Sequence, residues 1–284
     1  MEAKLQKVRG IYRCGENVMN YFDLSENVRV PQIGLGTFDL KEESILNGLE
    51  AGYRLLDTAW QYRNECEVGK AIKHSGLKRE EIFVTTKIWT DFIRSGEIEK
   101  AVDDSLNNLQ LDSVDLMLIH WPAEGYEAAW EKMIILKEKG LVKHIGVSNF
   151  TSQMIENISK SGVLPVINQI ESHPYFRNDE IVSFCKGKNI KVQAWCPLGG
   201  SYSDLKNNVL FEELSEKYSK SPAQIILRWH IQRNVLIIPR TQNKVRLKDN
   251  MNIFDFELLK EDIERINLLD TGRRMGANPD NFNF

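Results

Sequence analysis

Apolar and polar positions alternate along the chain in a slow rhythm. Short apolar runs read as strands at residues 33–38, 53–57, 82–88, 114–120, 143–148, 166–170, 191–195 and 235–239. They are runs rather than clean alternations, the pattern of strands buried on both faces of a parallel sheet. Helical spacing fills most of the intervals. Residues 42–51 carry Ile45, Leu46 and Leu49, residues 95–109 carry Ile98, Ala101, Val102, Leu106 and Leu109, and residues 128–139 carry Ala129, Met133 and Leu136. A helix is expected from about Asn64, shorter ones at 155–160 and 179–186, and another at 223–232. The last follows Ser221 and Pro222, a cap and a proline where a first helical turn tolerates them. Eight strands alternating with helices predict an α/β fold, the closed (β/α)8 or TIM barrel, with an open doubly wound sheet as the alternative.

Residues 21–24 and 28–33 flank Ser25, Glu26 and Asn27 and read as an N-terminal β-hairpin, with Pro31 suggesting an edge position. Residues 1–18 form an extension without an assigned structure, and residues 252–284 a C-terminal tail that starts helical near 260–269. No break in composition divides the chain, so residues 1–284 read as one domain. The net charge of −3 comes from mixed acids and bases, with no basic run to meet nucleic acid or an anionic membrane. No apolar run approaches the roughly 20 residues of a spanning helix, and the first ten residues lack the apolar core of a secretory leader. Cys14, Cys66, Cys185 and Cys196 are scattered, which reads as reduced thiols in a cytoplasmic protein without a metal centre. Nothing demands more than a monomer.

The strand ends carry the chemistry. The second strand ends on Asp57, with Tyr62 just beyond it, the third on Lys87 and the fourth on His120. The fifth ends on Ser148 and Asn149, the sixth reaches Gln169, the seventh ends on Trp195, and the eighth leads into Arg240 and Thr241, with Arg246 following. In a closed barrel these ends share one mouth, where such folds hold their active sites. Singly, each residue has a plain explanation: a packed tyrosine, a helix-capping aspartate, a core histidine. Lys87 is harder to dismiss, since lysine is seldom buried unpaired. Jointly they form a proton-transfer set. An ammonium about 4 Å from a phenol favours the phenolate by roughly 4 kcal/mol at an effective dielectric near 20, or about three pKa units, which would bring Tyr62 near 7. Asp57 would hold Lys87 charged, and His120 could orient an incoming carbonyl oxygen. No covalent nucleophile is evident, although a barrel isomerase or aldolase using Lys87 in a Schiff base is a competing reading. Ser148, Asn149 and Gln169 could pair with a carboxamide, and Trp195 could stack on a flat ring. Arg240, Thr241 and Arg246 could hold a phosphate, with roughly 1.5–3 kcal/mol per charge-assisted hydrogen bond.

The chain resembles the aldo-keto reductases over nearly its whole length. The resemblance rests on the stretch from Gly52 to Gly69, on Thr85-Thr86-Lys87-Ile88-Trp89, on Leu118-Ile119-His120-Trp121-Pro122, and on Gly146-Val147-Ser148-Asn149-Phe150. It continues in Asn168-Gln169-Ile170-Glu171 with His173-Pro174-Tyr175, and in Ile238-Pro239-Arg240-Thr241 with Arg246 and Asn250. It implies NADPH-dependent reduction of a small-molecule aldehyde or ketone, with Tyr62 as proton donor tuned by Lys87 and Asp57, and with His120 orienting the carbonyl. It further implies that Ser148, Asn149 and Gln169 hold the nicotinamide carboxamide and Trp195 stacks on the ring. Cys196 and Leu198 would border the pyrophosphate, Arg240, Thr241 and Arg246 would hold the 2′-phosphate, and Asp249 and Asn250 would lie near the adenine. Arg240 stands where lysine is common in the family, and Trp195 where tyrosine also occurs. Phe38, Trp60, Trp89 and Trp121 would line the substrate pocket. The short segment between Trp121 and Ala128 resembles the compact-loop microbial members and suggests an open pocket. A low-turnover cofactor-sensing member is the remaining alternative.

Overall fold

The computed structural model describes residues 11–14, 17–25, 28–200 and 203–284. Strands β1 (Ile11–Cys14), β2 (Asn17–Ser25) and β3 (Val28–Pro31) form a three-stranded antiparallel sheet in that order. The hairpin expected from residues 21–33 is its β2–β3 pair, and Pro31 does lie on an edge strand. Two of its turn residues, Glu26 and Asn27, fall outside the described residues. Part of the supposed extension belongs to the same sheet, since β1 pairs with the start of β2.

Eight parallel strands follow: β4 (Leu35–Gly36), β5 (Leu55–Asp57), β6 (Phe83–Ile88), β7 (Val114–Ile119), β8 (Val142–Ser148), β9 (Ile167–Glu171), β10 (Lys191–Trp195) and β11 (Val235–Ile237). Each pairs with its sequence neighbours. An open doubly wound sheet would reverse its strand order at a switch point; this one does not. The ring closes through a parallel bridge between Ile33 and Ile237, with Gly34 N donating to Ile237 O at 2.8 Å and Ile237 N to Gln32 O at 3.0 Å. β4 is shorter than the sequence suggests because closure recruits its flanking residues one at a time.

Side chains alternate between the barrel interior and the helix-covered outside. Leu55, Phe83, Leu116, Leu118, Ile167 and Leu236 pack together inside, joined from below by Leu24 and Val30 of the N-terminal sheet. Their strand neighbours Leu56, Val84, Met117, Ile119, Ile170 and Ile237 belong instead to the larger core under the helices. This period of two decides the mouth. Counting by twos from the inner layer leads to Asp57, Lys87, His120, Gln169 and Trp195.

The helices match the apolar spacing, with three departures. The helix expected over 95–109 starts at Ile98 and runs to Leu109, preceded by an unanticipated short helix, Thr90–Ser95, that ends on Gly96 in the left-handed region (φ 73°). Helices Val209–Tyr218 and Lys244–Met251 were not anticipated. The second buries only Leu247, Asn250 and Met251, too thin a stripe to stand out in sequence. Pro222–Gln232 starts as expected, with Ser221 and Gln224 closing a capping box.

Helix Glu65–His74, which follows the first chemical strand end, is seated through Gly69, where a Cβ would lie 2.2 Å from the Leu109 carbonyl oxygen. Gly69→Ala is expected to cost about 1–3 kcal/mol of stability through forced separation of the two helices. A denaturant midpoint equal to that of the unsubstituted protein would show that they part freely.

Candidate active site

A cavity of about 720 Å3 opens at the C-terminal ends of the barrel strands. Its walls include Asp57, Tyr62, His120, Ser148, Asn149, Gln169 and Trp195, and it extends past Cys196 and Leu198 to Arg240, Thr241 and Arg246. Phe38 and Trp121 are also among its lining residues.

At its base Lys87 is fully buried. Its three N–H groups go to Asp57 Oδ1 at 2.5 Å, the Thr58 carbonyl at 2.8 Å and the Tyr62 hydroxyl oxygen at 3.3 Å. Burial alone would lower the ammonium's pKa, but Asp57 and Tyr62 outweigh it and the value is raised. Burial pushes the Asp57 carboxyl up, against the pull of Lys87 and of Gln169, whose Nε2 donates to Asp57 Oδ2 at 2.6 Å. Tyr62 departs from expectation. Its pKa is raised, not brought toward 7: burial exceeds the attraction of Lys87, and Asp57 adds to the rise. The phenol is enclosed, so loss of water around a phenolate outweighs the ammonium's attraction, and the nearby Asp57 carboxylate opposes ionisation further. Tyr62 is therefore a protonated phenol whose oxygen accepts from Lys87 and whose own hydrogen has no partner among the described residues.

His120 presents its ring edge-on to Tyr62, with centroids 5.7 Å apart, and to Trp89 at 5.2 Å. Its Nδ1 is buried without a partner. Burial, reinforced by the Lys87 charge, holds its pKa well below the ordinary imidazole value, so the ring is neutral.

The opposite wall is a connected polar network. Asn149 Nδ2 donates to the His120 carbonyl and to Ser148 Oγ, both at 3.1 Å, and its Oδ1 accepts from Trp195 Nε1 at 2.8 Å. Gln169 Nε2 also donates to Gln193 Oε1 at 2.7 Å, which leaves Gln169 Oε1 as a free acceptor toward the cavity. Burial raises the Cys196 thiol to about 12, so it is a neutral wall group. At the far end Arg246 is exposed and makes no ion pair among the described residues, beside Asn243, whose Oδ1 caps the amides of Val245 and Arg246. Arg240 is engaged: its Nε donates to the Phe38 carbonyl at 2.5 Å and its Nη2 to Asp39 Oδ2 at 3.1 Å. A neutral amide-rich wall leading to the unpaired Arg246 guanidinium suits an elongated ligand with a flat polar head and an anionic end.

Besides Lys87, which lies beneath it, four expected residues do not line this cavity. Asn250 lies on the core side of its helix with Leu247 and Met251, and Asp249 offers its carbonyl to Gln224. Trp60 lies under the Arg63 guanidinium at 3.5 Å and against Phe92, and Trp89 is covered by the stacked ring of Phe284, 5.5 Å away. Conversely, the sequence reading missed Lys206 and Gly200 on the wall and Gln193 behind it. It also missed Phe282 and Phe284, which pack on Trp121. Gln193 was within reach, two positions before Trp195 on the same strand face. The tail aromatics carried no periodic signal.

The profile described as the Aldo/keto reductase family matches residues 33–271. Methylglyoxal reductase DkgA of Escherichia coli K12 is 40% identical over 261 residues, covering 89% of this chain and 94% of that protein. Glyoxal reductase of Bacillus subtilis is 40% identical over 268 residues, with coverage of 92% and 96%. A crystal structure of a Gox0644 variant in complex with NADPH superposes with a TM-score of 0.88 at 36% identity, covering 94% of this chain and 99% of that one.

Neutral His120 and His230, whose value burial and then Arg233 also hold well down, give a pH dependence. Below about pH 6.5 the unfolded chain takes up a proton at each imidazole and the folded chain does not. Stability therefore falls with falling pH, by about 1.4 kcal/mol per unit for each group. His120→Gln is expected to remove one group's share of that slope in urea titrations between about pH 6.5 and about pH 5. Equal slopes would show that the His120 imidazole charges within the fold.

Proposed function

The chain belongs to the aldo/keto reductase family and reduces aldehydes and ketones with NADPH, and from this premise we propose which side chains perform the reaction. The observation that carries the assignment is the hydrogen-bond arrangement at Tyr62, an acceptor toward buried Lys87 that keeps its own proton for the cavity. When bound, NADPH supplies a hydride to the carbonyl carbon. Tyr62 gives its proton to the carbonyl oxygen as negative charge develops there. The Lys87 ammonium, already touching the phenolic oxygen, stabilises the charge left on it, and Asp57 keeps that ammonium in place. Neutral His120 orients the carbonyl oxygen beside Tyr62. In the resting site the raised phenol pKa holds the proton until substrate charge draws it off, which is the behaviour of a general acid.

Ser148, Asn149 and the free Gln169 oxygen are proposed to hold the carboxamide, with Trp195 under the flat ring and Cys196 and Leu198 along the pyrophosphate. Arg246 and Thr241 are the proposed partners of the 2′-phosphate, joined by Arg240 if it leaves Phe38 and Asp39. The adenine would lie toward Asp249 and Asn250, outside the cavity wall itself. The substrate is proposed to be a small dicarbonyl of the methylglyoxal kind, bounded by Phe38, Trp121 and the tail aromatics, with Trp60 and Trp89 behind them. We place the protein in the cytoplasm as a monomer of one domain. Among the described residues no helix is long and apolar enough to cross a membrane. A Schiff base at Lys87 is disfavoured by its complete burial and by the charge that Asp57 maintains on it.

Tyr62→Phe is expected to lower kcat for methylglyoxal by about 10²–10⁴ while leaving NADPH binding unchanged, read from loss of nicotinamide absorbance and from fluorescence titration. Comparable turnover in the two proteins would remove Tyr62 as the acid. Arg246→Ala should weaken NADPH by about tenfold or more and leave NADH almost unaffected, since one charge-assisted contact is worth roughly 1.5–3 kcal/mol. Equal losses for both dinucleotides would refute the phosphate assignment.

A further inference from the structure

The motif that ends on Glu171 and His173 has no part in the proton-transfer set, yet the Glu171 carboxylate is wholly buried at the end of β9. A buried carboxylate is costly unless fully partnered, and this one's partners are unusual. Besides His173 Nε2 at 3.1 Å, they come from the tail: the backbone amides of Met275 and Gly276, with the Arg274 guanidinium at 4.0 Å. Just upstream, the amides of Thr271 and Arg273 both donate to the Tyr175 carbonyl. The tail is thus laid along residues 171–176 and fastened at Glu171.

The fastening point faces the cofactor wall. A Cβ on Gly276 would lie 2.3 Å from Cζ-side ring atom Cη2 of Trp195, so the tail backbone is pressed on that indole as closely as any side chain permits. The other edge of the indole is fixed by its hydrogen bond to Asn149. Beyond Gly276 the same segment carries Phe282 and Phe284 onto Trp121 and Trp89, and Arg94 donates to the main-chain oxygen of Phe284 at 2.7 Å.

We propose that Glu171 is a positioning residue for the reduction, holding the tail so that Gly276 clamps Trp195 against Asn149 and the nicotinamide platform is set before the cofactor arrives. This rests on the reading of Trp195 as that platform. One buried carboxylate then ties together the two halves of the site, the cofactor wall through Gly276 and the aromatic cover of the substrate through Phe282 and Phe284.

The test compares Glu171→Gln, Gly276→Ala and Trp195→Leu in the full chain. NADPH affinity is measured by quenching of tryptophan fluorescence, and release of the tail by the rate of trypsin cleavage after Arg273 and Arg274. Glu171→Gln is expected to raise the NADPH Kd about tenfold, roughly one charge-assisted hydrogen bond, and to speed cleavage. Gly276→Ala should raise Kd comparably with the rate of cleavage unchanged, since the Glu171 fastening is intact, a combination that a merely structural role for the tail would not produce. Should Glu171→Gln fail to fold, Gly276→Ala decides alone. If Trp195→Leu weakens NADPH but Gly276→Ala does not, the positioning proposal is overturned and the platform stands. If Trp195→Leu binds NADPH normally, the platform reading itself fails, and the proposal with it.

Discussion

A lysine with no exposed surface is the constraint around which the site is built. Its ammonium has three hydrogens, and each needs an acceptor inside a region from which water is excluded. Asp57, the Thr58 carbonyl and Tyr62 supply one each. The set is closed: removing any acceptor would strand a charged donor, and losing one partner of such a buried pair typically costs about 3–5 kcal/mol. The same closure fixes the direction of chemistry. Because the Tyr62 oxygen faces the ammonium, its hydrogen must point away, into the cavity. The burial of the ammonium and the aim of the Tyr62 hydrogen are therefore two consequences of one arrangement of hydrogen bonds.

That arrangement is placed by strand geometry. Asp57 and Lys87 lie on, and His120 directly after, three neighbouring strands, paired in register with one another through Leu55–Phe83 and Lys87–Leu118 contacts of the ladder. Each lies an even number of positions beyond an apolar residue of the inner layer. A one-residue slip of any strand would send its functional group into the helices. The apolar packing of Leu55, Phe83, Leu116 and Leu118 is thus also what aims the polar groups above it, and Gly146 leaves room for it: a Cβ there would lie 2.7 Å from both Leu118 and the Ile167 carbonyl.

The parts legible in the sequence were those set by local period and by strand ends. Strand positions and most helices follow from counting along the chain, and fourteen of the expected site residues lie on the cavity wall. What could not be counted was electrostatic context and long-range docking. The Tyr62 shift is opposite in sign to the expectation because burial of the phenol, helped by Asp57, outweighs Lys87, and the extent of that burial is not carried by the sequence. Trp60 and Trp89 were placed by their nearness to strand ends, but their surroundings are decided by Arg63 and by a tail almost two hundred residues away. That Asn250 faces the core could not be read for a simpler reason: its helix is too polar for its buried side to be recognised.

The seam where the ring closes explains one more feature. β4 has only two regular residues, so closure between the first and last strands leans on single hydrogen bonds such as Gly36 N to the Pro239 carbonyl. Arg240 reinforces the seam from above by holding the Phe38 carbonyl and both the main-chain and side-chain oxygens of Asp39. Phe38 in turn stands edge-on to Tyr62 with centroids 5.1 Å apart, although more than half of it is exposed. An exposed aromatic ring held only by its neighbours would sample many rotamers; one whose backbone is clasped by a guanidinium samples fewer. Arg240 and the ring beside Tyr62 are therefore mechanically the same element, joined across the seam through the Phe38 backbone.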